Sequence, residues 1–404
     1  MKKRMAFFLS ACLALGIVIG NQAYQSVIRP AGPAVMAAAG SDEVPPVGLQ
    51  MDELDYKTLD IDAVIATRDP EEIVMTVDGK EETWGDYSYF LASQVDTVEK
   101  LLISLYANYG AELLWSDVAE EDNTYADMAV NQAEESLLHI DAIEGFAEEN
   151  EVELTEEDRK ALEELLRSDM AASCGEDATE EDFAAYLAGR HMSRELYDRI
   201  NEADILYQKG FTKLYGEDGG VMDDEAAEQY LEDGSYISAN HIMLLTIDPA
   251  TGEKLDEEVI EERAETAEKL AEELQAIEDP AERLARFAEL KEEYCEDTGK
   301  DVYPDGYTFT PHTMTADFEA ACHKLEPYEV SDPVRSGYGY HIIMKLPYSA
   351  DALLFAKSGD PITARNAAAI REYDERLNAY MEGMDVEYAE GFEKPDLLLY
   401  VMNG

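Results

Sequence analysis

Two histidines, His241 and His341, are the residues of this chain best suited to chemistry, because each stands in an apolar strand-like run where a polar ring needs a reason. His241 alternates with Ile237, Ala239, Met243 and Leu245 at the period of two that puts side chains on one face of a strand, so its imidazole points with apolar neighbours toward a core or pocket. His341 lies in Gly339-Tyr340-His341-Ile342-Ile343, a second run of the same kind. Imidazole can donate or accept at either nitrogen near neutral pH, which suits it to orienting a neighbouring polar group. One histidine on a strand is more often a packed core residue than a catalyst. Two of them, with Met314 and Phe318 between them at a four-residue spacing expected to share one side of a helical turn, outline a polar pair beside an apolar socket. Other machinery is missing: the chain has no Gly-x-Ser-x-Gly, no His-Glu-x-x-His, no P-loop lysine and no dinucleotide-binding glycine run. Clusters such as Asp223-Asp224-Glu225 lack the spacing and central glycine of a calcium loop, so neither a metal nor another cofactor is expected.

The elements that must position these residues are readable from periodicity. Ile73 to Val77 forms a β-rich run that stops at the turn pair Asp78-Gly79. Thr83, three residues before Asp86, then starts a helix with Tyr87, Phe90, Leu91, Val95, Val98, Leu101 and Leu102 on one stripe. Thr155 with Asp158 and Thr179 with Asp182 repeat the capping signal, ahead of Leu162, Leu165 and Leu166 in one helix and Phe183, Tyr186 and Leu187 in the next. Glycines at 216–220 break this helical region, and from Tyr236 the period changes to two. An acidic helix over about 256–275, another over about 281–293 that aims Leu284, Phe287 and Leu290 inward, a short helix near 316–323 and a closing strand over 340–346 make a small α+β unit. Asp360-Pro361 is a good helix start for a last stripe of Ala364, Ala368, Ile370, Tyr373, Leu377 and Tyr380.

The order of landmarks from His241 to His341 resembles that of a parvulin-type peptidyl-prolyl isomerase. It runs through Phe287, Leu290, Tyr294, Asp297, Met314, Phe318 and Ser331-Asp332-Pro333-Val334, and spans roughly residues 236–347. Val77-Asp78-Gly79-Lys80 leading into a long helix is similar to the start of a SurA-like chaperone core, so the whole chain resembles the exported foldases of the PrsA and SurA kind. The fold class implied is α+β, with a small parvulin-like domain inserted in a mostly α-helical SurA-like core. Residues 71–233 and 351–404 would make the core and residues 234–350 the parvulin-like domain.

The activity implied is cis–trans isomerisation of X-Pro bonds in unfolded or partly folded exported polypeptides. A catalytically silent chaperone, a holdase, is the alternative. By the same resemblance His241 and His341 lie behind the reacting amide, Asp297 faces its carbonyl and Ser336 orients a ring nitrogen. Met314, Phe318, Tyr307 and Phe309 would line the proline pocket. The leucine that often lines that pocket coincides with Gly306, a departure for which Tyr307 or Phe309 would compensate. A basic cluster after the first histidine is absent, since residues 242–260 hold only Lys254 among acids, which argues against a phosphoserine-proline preference.

Lys2, Lys3 and Arg4 ahead of an apolar run from Met5 to Gly20 form a secretion signal, so residues 1–40 are expected to be either a cleaved signal or a retained membrane anchor. Leu9-Ser10-Ala11-Cys12 resembles a lipobox in which Cys12 would be lipidated, although the apolar run continues past it. Residues 41–70, with Pro45-Pro46 and alternating acids, are expected to be an acidic tether. Cys174, Cys295 and Cys322 remain, an odd number that excludes a disulfide framework but leaves a Cys295–Cys322 bridge open. Against 31 basic side chains stand 90 acidic ones, a formal charge of −59 that repels nucleic acid and draws in cationic segments.

Overall fold

The computed structural model describes residues 58–109, 113–120, 123–356 and 359–402; the segment read from sequence as a secretion signal, with Cys12, and the first part of the expected acidic tether lie outside them. The described residues form two compact units, one comprising those up to Leu214 and those from Tyr373 onward, the other Tyr215–Glu372. Among the described residues no helix is long and apolar enough to cross a membrane.

The first unit begins earlier than the composition suggests. Residues 58–70, read from sequence as tether, include helix α1 (Ile61–Ile65), capped by Asp60, which buries Val64 completely and gives the Ile65 carbonyl to the Trp84 indole at 2.8 Å. A five-residue helix is too short to show a period in the sequence. Strands β1 (Ile73–Val77) and β2 (Lys80–Thr83) form a hairpin across Asp78-Gly79, both at positive φ as a two-residue turn of matching twist requires. The Thr83 hydroxyl accepts from the Asp86 amide at 3.1 Å and starts α2 (Trp84–Tyr109). Its stripe is buried except for Leu101, which is exposed.

A small hairpin, β3 (Val118–Glu120) with β4 (Asn123–Thr124), leads into α3 (Tyr125–Glu149), which opens on a Thr124–Asp127 capping box and packs along α2. Helices α4 (Glu156–Cys174) and α5 (Glu180–Ala188) start on the two capping boxes read from sequence. The leucines of α4 are not fully buried: Leu162 and Leu166 are half-buried and Leu165 is exposed. Helix α6 (Arg194–Tyr215) closes the series. From it Arg199 reaches into a buried network, donating to Glu82 of β2 at 2.9 Å and to Asp141 and Glu144 of α3 at 2.5 and 2.9 Å, with Lys80 on the same carboxylates.

The second unit opens with α7 (Asp224–Asp233) and is organised around a four-stranded antiparallel sheet. Its central strand, β5 (Ile237–Leu245), is flanked by β6 (Tyr307–Phe309) and β8 (Gly339–Lys345), and β7 (Val334–Arg335) lies outside β8. Helices α8 (Glu257–Gln275) and α9 (Pro280–Tyr294) cover one face through Leu270, Leu274, Phe287 and Leu290 against Ile242, Leu244 and Ile342. Leu284, expected to point inward, is exposed. Helix α10 (Ala316–Cys322) covers the other face, where Phe318 and Cys322 meet Ile237, Ala239, Phe309 and Ile343. Cys295 and Cys322 are both free and belong to the clusters on opposite faces, so the bridge left open by the cysteine count does not form.

Helix α11 (Ala364–Gly383) starts later than Asp360-Pro361 suggests, because the Thr363 hydroxyl takes the Asn366 amide at 3.1 Å and acts as the cap. Its later turns belong to the first unit, where Tyr373 and Leu377 are buried. There β9 (Val386–Tyr388) adds to the free edge of β1, giving the order β2-β1-β9, and Val401 bridges back to Leu59. The segment after α11 thus completes the sheet that β1 and β2 begin.

Candidate active site

The two histidines come together because β5 and β8 are neighbours. His241 pairs with Ile343 and Met243 with His341, so the histidines are diagonal neighbours on the face covered by α10. Their ring centroids are 5.2 Å apart at 72°, and Phe318 sets its ring across both, 5.4 Å from His241 and 5.6 Å from His341. Both imidazoles are less than a tenth exposed. Each has one nitrogen held by a polar group, and each has a buried Nδ1 with no hydrogen-bond partner among the described residues.

His341 Nε2 lies 2.8 Å from the Ser336 hydroxyl. The tight turn joining β7 and β8 places Ser336, whose amide donates to Gly339 O at 2.9 Å while its hydroxyl accepts from the Tyr338 amide at 3.1 Å. Burial, reinforced by the neighbouring His241, pushes the His341 imidazole down to about 3, so this ring is neutral across the physiological range.

His241 Nε2 lies 3.0 Å from Asp297 Oδ2. Asp297 follows α9 and caps a single 3-10 turn, Thr298–Asp301, accepting the Gly299 amide on Oδ1 at 3.0 Å. The segment leading to it is pinned along β5: the Glu296 amide donates to Met243 O at 2.9 Å, and the buried Cys295 thiol accepts from the Met243 amide. The Tyr307 hydroxyl also donates to Asp297 Oδ2, at 2.5 Å. Burial alone would raise the Asp297 carboxyl, but the hydrogen bonds from His241, Tyr307 and Gly299 outweigh it and hold the group well below the ordinary carboxylate range. Both oxygens of this carboxylate are thus held by neighbouring groups of the site.

The socket residues are placed as follows. Phe318 is on α10, 3% exposed, with Phe309 at a centroid distance of 6.1 Å. Met314 is not on a helical turn with Phe318, since α10 begins at Ala316; it lies in the preceding loop, half-buried against the same cluster. The loop is held by Glu319, a buried carboxylate that accepts from the His312 and Met314 amides at 3.0 and 2.8 Å, a positioning role that nothing in the sequence singled out. Gly306 has φ +112°, and a Cβ there would come within 2.7 Å of Ala239 O. No leucine could occupy that position in this fold. Tyr307 stacks on Tyr303 at 4.7 Å and lies 5.5 Å from His241, so its ring forms the inner wall and its hydroxyl belongs to the polar side of the site.

Residues 241–346 match the family described as Rotamase, PPIC-type PPIASE domain. This segment is a PPIC-type rotamase domain. The chain is 29% identical over 194 residues to the foldase protein PrsA of Oceanobacillus iheyensis, an alignment covering 48% of this chain and 55% of that protein. It is 35% identical over 124 residues to the foldase protein PrsA 1 of Bacillus cereus, covering 30% of this chain and 34% of the relative. With the foldase protein PrsA of Geobacillus kaustophilus the identity is 32% over 166 residues, covering 41% and 48%. The chain therefore spans between a third and just over half the length of these relatives. Alignment with the crystal structure of PrsA from Bacillus subtilis covers 67% of this chain and 89% of that one at 21% identity, with a TM-score of 0.23. That score is too low to equate the two overall arrangements.

Proposed function

We propose that the chain is an extracytoplasmic foldase whose rotamase domain isomerises X-Pro bonds in exported proteins as they fold. The observation that carries this reading is the paired histidines, each fixed at one nitrogen by Asp297 or Ser336, with the Phe318 ring set across both. Rotation about an X-Pro bond meets a barrier of roughly 18–20 kcal/mol because the amide gives up its resonance, and without help exchange takes about 10–100 s. No bond needs to break, so a catalyst has only to bind the twisted amide better than either planar form, and each ~1.4 kcal/mol of that preference gives a factor of ten.

The twisted amide has less charge separation than the planar one, which favours a low-polarity socket for the proline ring. Phe318, Phe309 and Met314 supply it in this reading. His241 and His341 stand behind the amide as fixed polar groups that need not reorganise as its charge moves. Ser336 orients His341, and Asp297 acts on the amide through His241. Clients would be unfolded or partly folded polypeptides containing proline, met outside the cytoplasm where the amino-terminal segment delivers or anchors the chain.

The rival reading, a holdase with a silent rotamase domain, is favoured by Gly306, which stands where the resembled family often has a leucine. A coupled isomerisation assay of the full chain with a short X-Pro peptide separates the two. The foldase reading expects a rate that rises in proportion to the protein added. A rate equal to the uncatalysed one at every protein concentration leaves only the holdase.

A further inference from the structure

The family resemblance puts Tyr307 in the wall of an apolar socket, yet its hydroxyl ends on the same oxygen of Asp297 that holds His241. We propose that Tyr307 is a positioning residue for the isomerisation: its hydroxyl shares Oδ2 of Asp297 with His241 Nε2–H, so it holds the carboxylate in place and limits how strongly that charge raises the basicity of Nδ1, the nitrogen left to respond to the twisting amide. This inference rests on the isomerase reading above. An ionised carboxylate accepts hydrogen bonds and donates none, so with Tyr307 on Oδ2 and the Gly299 amide on Oδ1, the proton between Asp297 and His241 belongs to the imidazole. Burial first, and then its bond to Asp297, push the Tyr307 hydroxyl above its ordinary range, so it stays a donor throughout the physiological range.

The surrounding structure is built to deliver that hydroxyl. Tyr303 and Phe355 pack against the Tyr307 ring at 4.7 and 5.9 Å, and the buried Lys291 ammonium holds the Tyr303 and Pro304 carbonyls at 3.1 and 2.8 Å, fixing the turn that leads to β6. Gly299 leaves the space: a Cβ at that position would come within 2.1 Å of the Tyr307 oxygen. Any other residue there would push the hydroxyl off Asp297.

The test uses the full chain with 15N-labelled histidine, reading the tautomer of His241 from imidazole spectra and the pH profile of kcat/KM on an X-Pro peptide, with His241→Gln to assign the signal. Wild type should show a single Nε2–H tautomer. Tyr307→Phe, which keeps the ring and its packing, should keep that tautomer, because the carboxylate stays ionised, and should move the acid limb of kcat/KM to higher pH by about half to one unit, the worth of one charge-assisted hydrogen bond. Gly299→Ala should reproduce this shift alone and add nothing in the Tyr307→Phe background. The same acid limb in Tyr307→Phe as in wild type would overturn the inference, as would an equal effect of Gly299→Ala in both backgrounds. An inactive wild type whose imidazole spectra still respond to Tyr307→Phe would sink the isomerase reading while upholding the control of His241.

Discussion

The buried network of the first unit holds three carboxylates, Glu82, Asp141 and Glu144, against two cations, Arg199 and Lys80. Glu82 Oε1 and Asp141 Oδ2 are buried without a hydrogen-bond partner, as expected if one proton is retained among the acids. Burial raises the Glu82 carboxyl to about 7, with Arg199 pulling the other way, and burial likewise raises Asp141. Because the folded chain holds this proton more tightly than the unfolded one, the stability it contributes is complete below the ordinary value of 4.5 and is lost as pH rises through about 7.

Glu82→Gln keeps the shape and removes the titration. Between pH 5.5 and 8 the variant should therefore gain about 1–2 kcal/mol on wild type. Urea unfolding followed by tryptophan fluorescence measures this selectively, since Trp84 and Trp115, the only two tryptophans, both lie in this unit. Arg199→Met should cost about 3–5 kcal/mol at pH 8, because it strands carboxylates that Lys80 alone must balance, and adding Glu82→Gln should recover part of that loss. Wild-type and Glu82→Gln stabilities that move in parallel from pH 5.5 to 8 would refute the retained proton.

Phe318→Ala should cost about 3–5 kcal/mol by leaving a cavity at a 3%-exposed site, so a loss of isomerisation in that variant would confound fold and chemistry. Phe318→Leu keeps most of the packing and should still lower kcat/KM about tenfold, with the melting midpoint as control. Capture of a basic unfolded client should be faster than that of an acidic one and the gap should close as salt rises, whereas isomerisation of a neutral peptide should be nearly indifferent to salt. Aggregation and peptide assays in the same buffers read both, and equal capture of the two clients at every salt concentration would leave the acidic surface a solubilising role only.

The elements with their own start signals were legible, and those that depend on distant partners were not. The Thr155 and Thr179 boxes and the Asp78-Gly79 turn act within three or four residues, and each stands where the local chemistry puts it. Strand β9 is three residues long and exists because its partner β1 has a free edge, an arrangement no local period encodes. The leucines of α4 have a helical stripe but are only partly covered, Leu162 and Leu165 lining a small cavity with Tyr197 and Asn201 of α6, since a period records what a helix could bury and not how fully its neighbour buries it.

At the site, alternation placed His241 and His341 on strands, and family order associated Asp297 and Ser336 with them; the sheet register then turned both rings to one face. Met314 was misplaced because a four-residue spacing fits a loop entering a helix as well as a helical turn, and the carboxylate that shapes this loop, Glu319, sits one residue beyond the expected Phe318 and looks like any other helix acid. The pair Gly306-Tyr307 shows where carrying roles over by position stops. Read as a missing leucine, Gly306 suggests a defective pocket wall. In the fold, the close approach of Gly306 to Ala239 forbids any side chain, the bulk moves one residue along to Tyr307, and its hydroxyl turns a wall position into a second partner for Asp297. The departure from the family pattern thus falls beside the residue that gives Asp297 its second partner on Oδ2, and the Asp297–His241 arm of the site is held there.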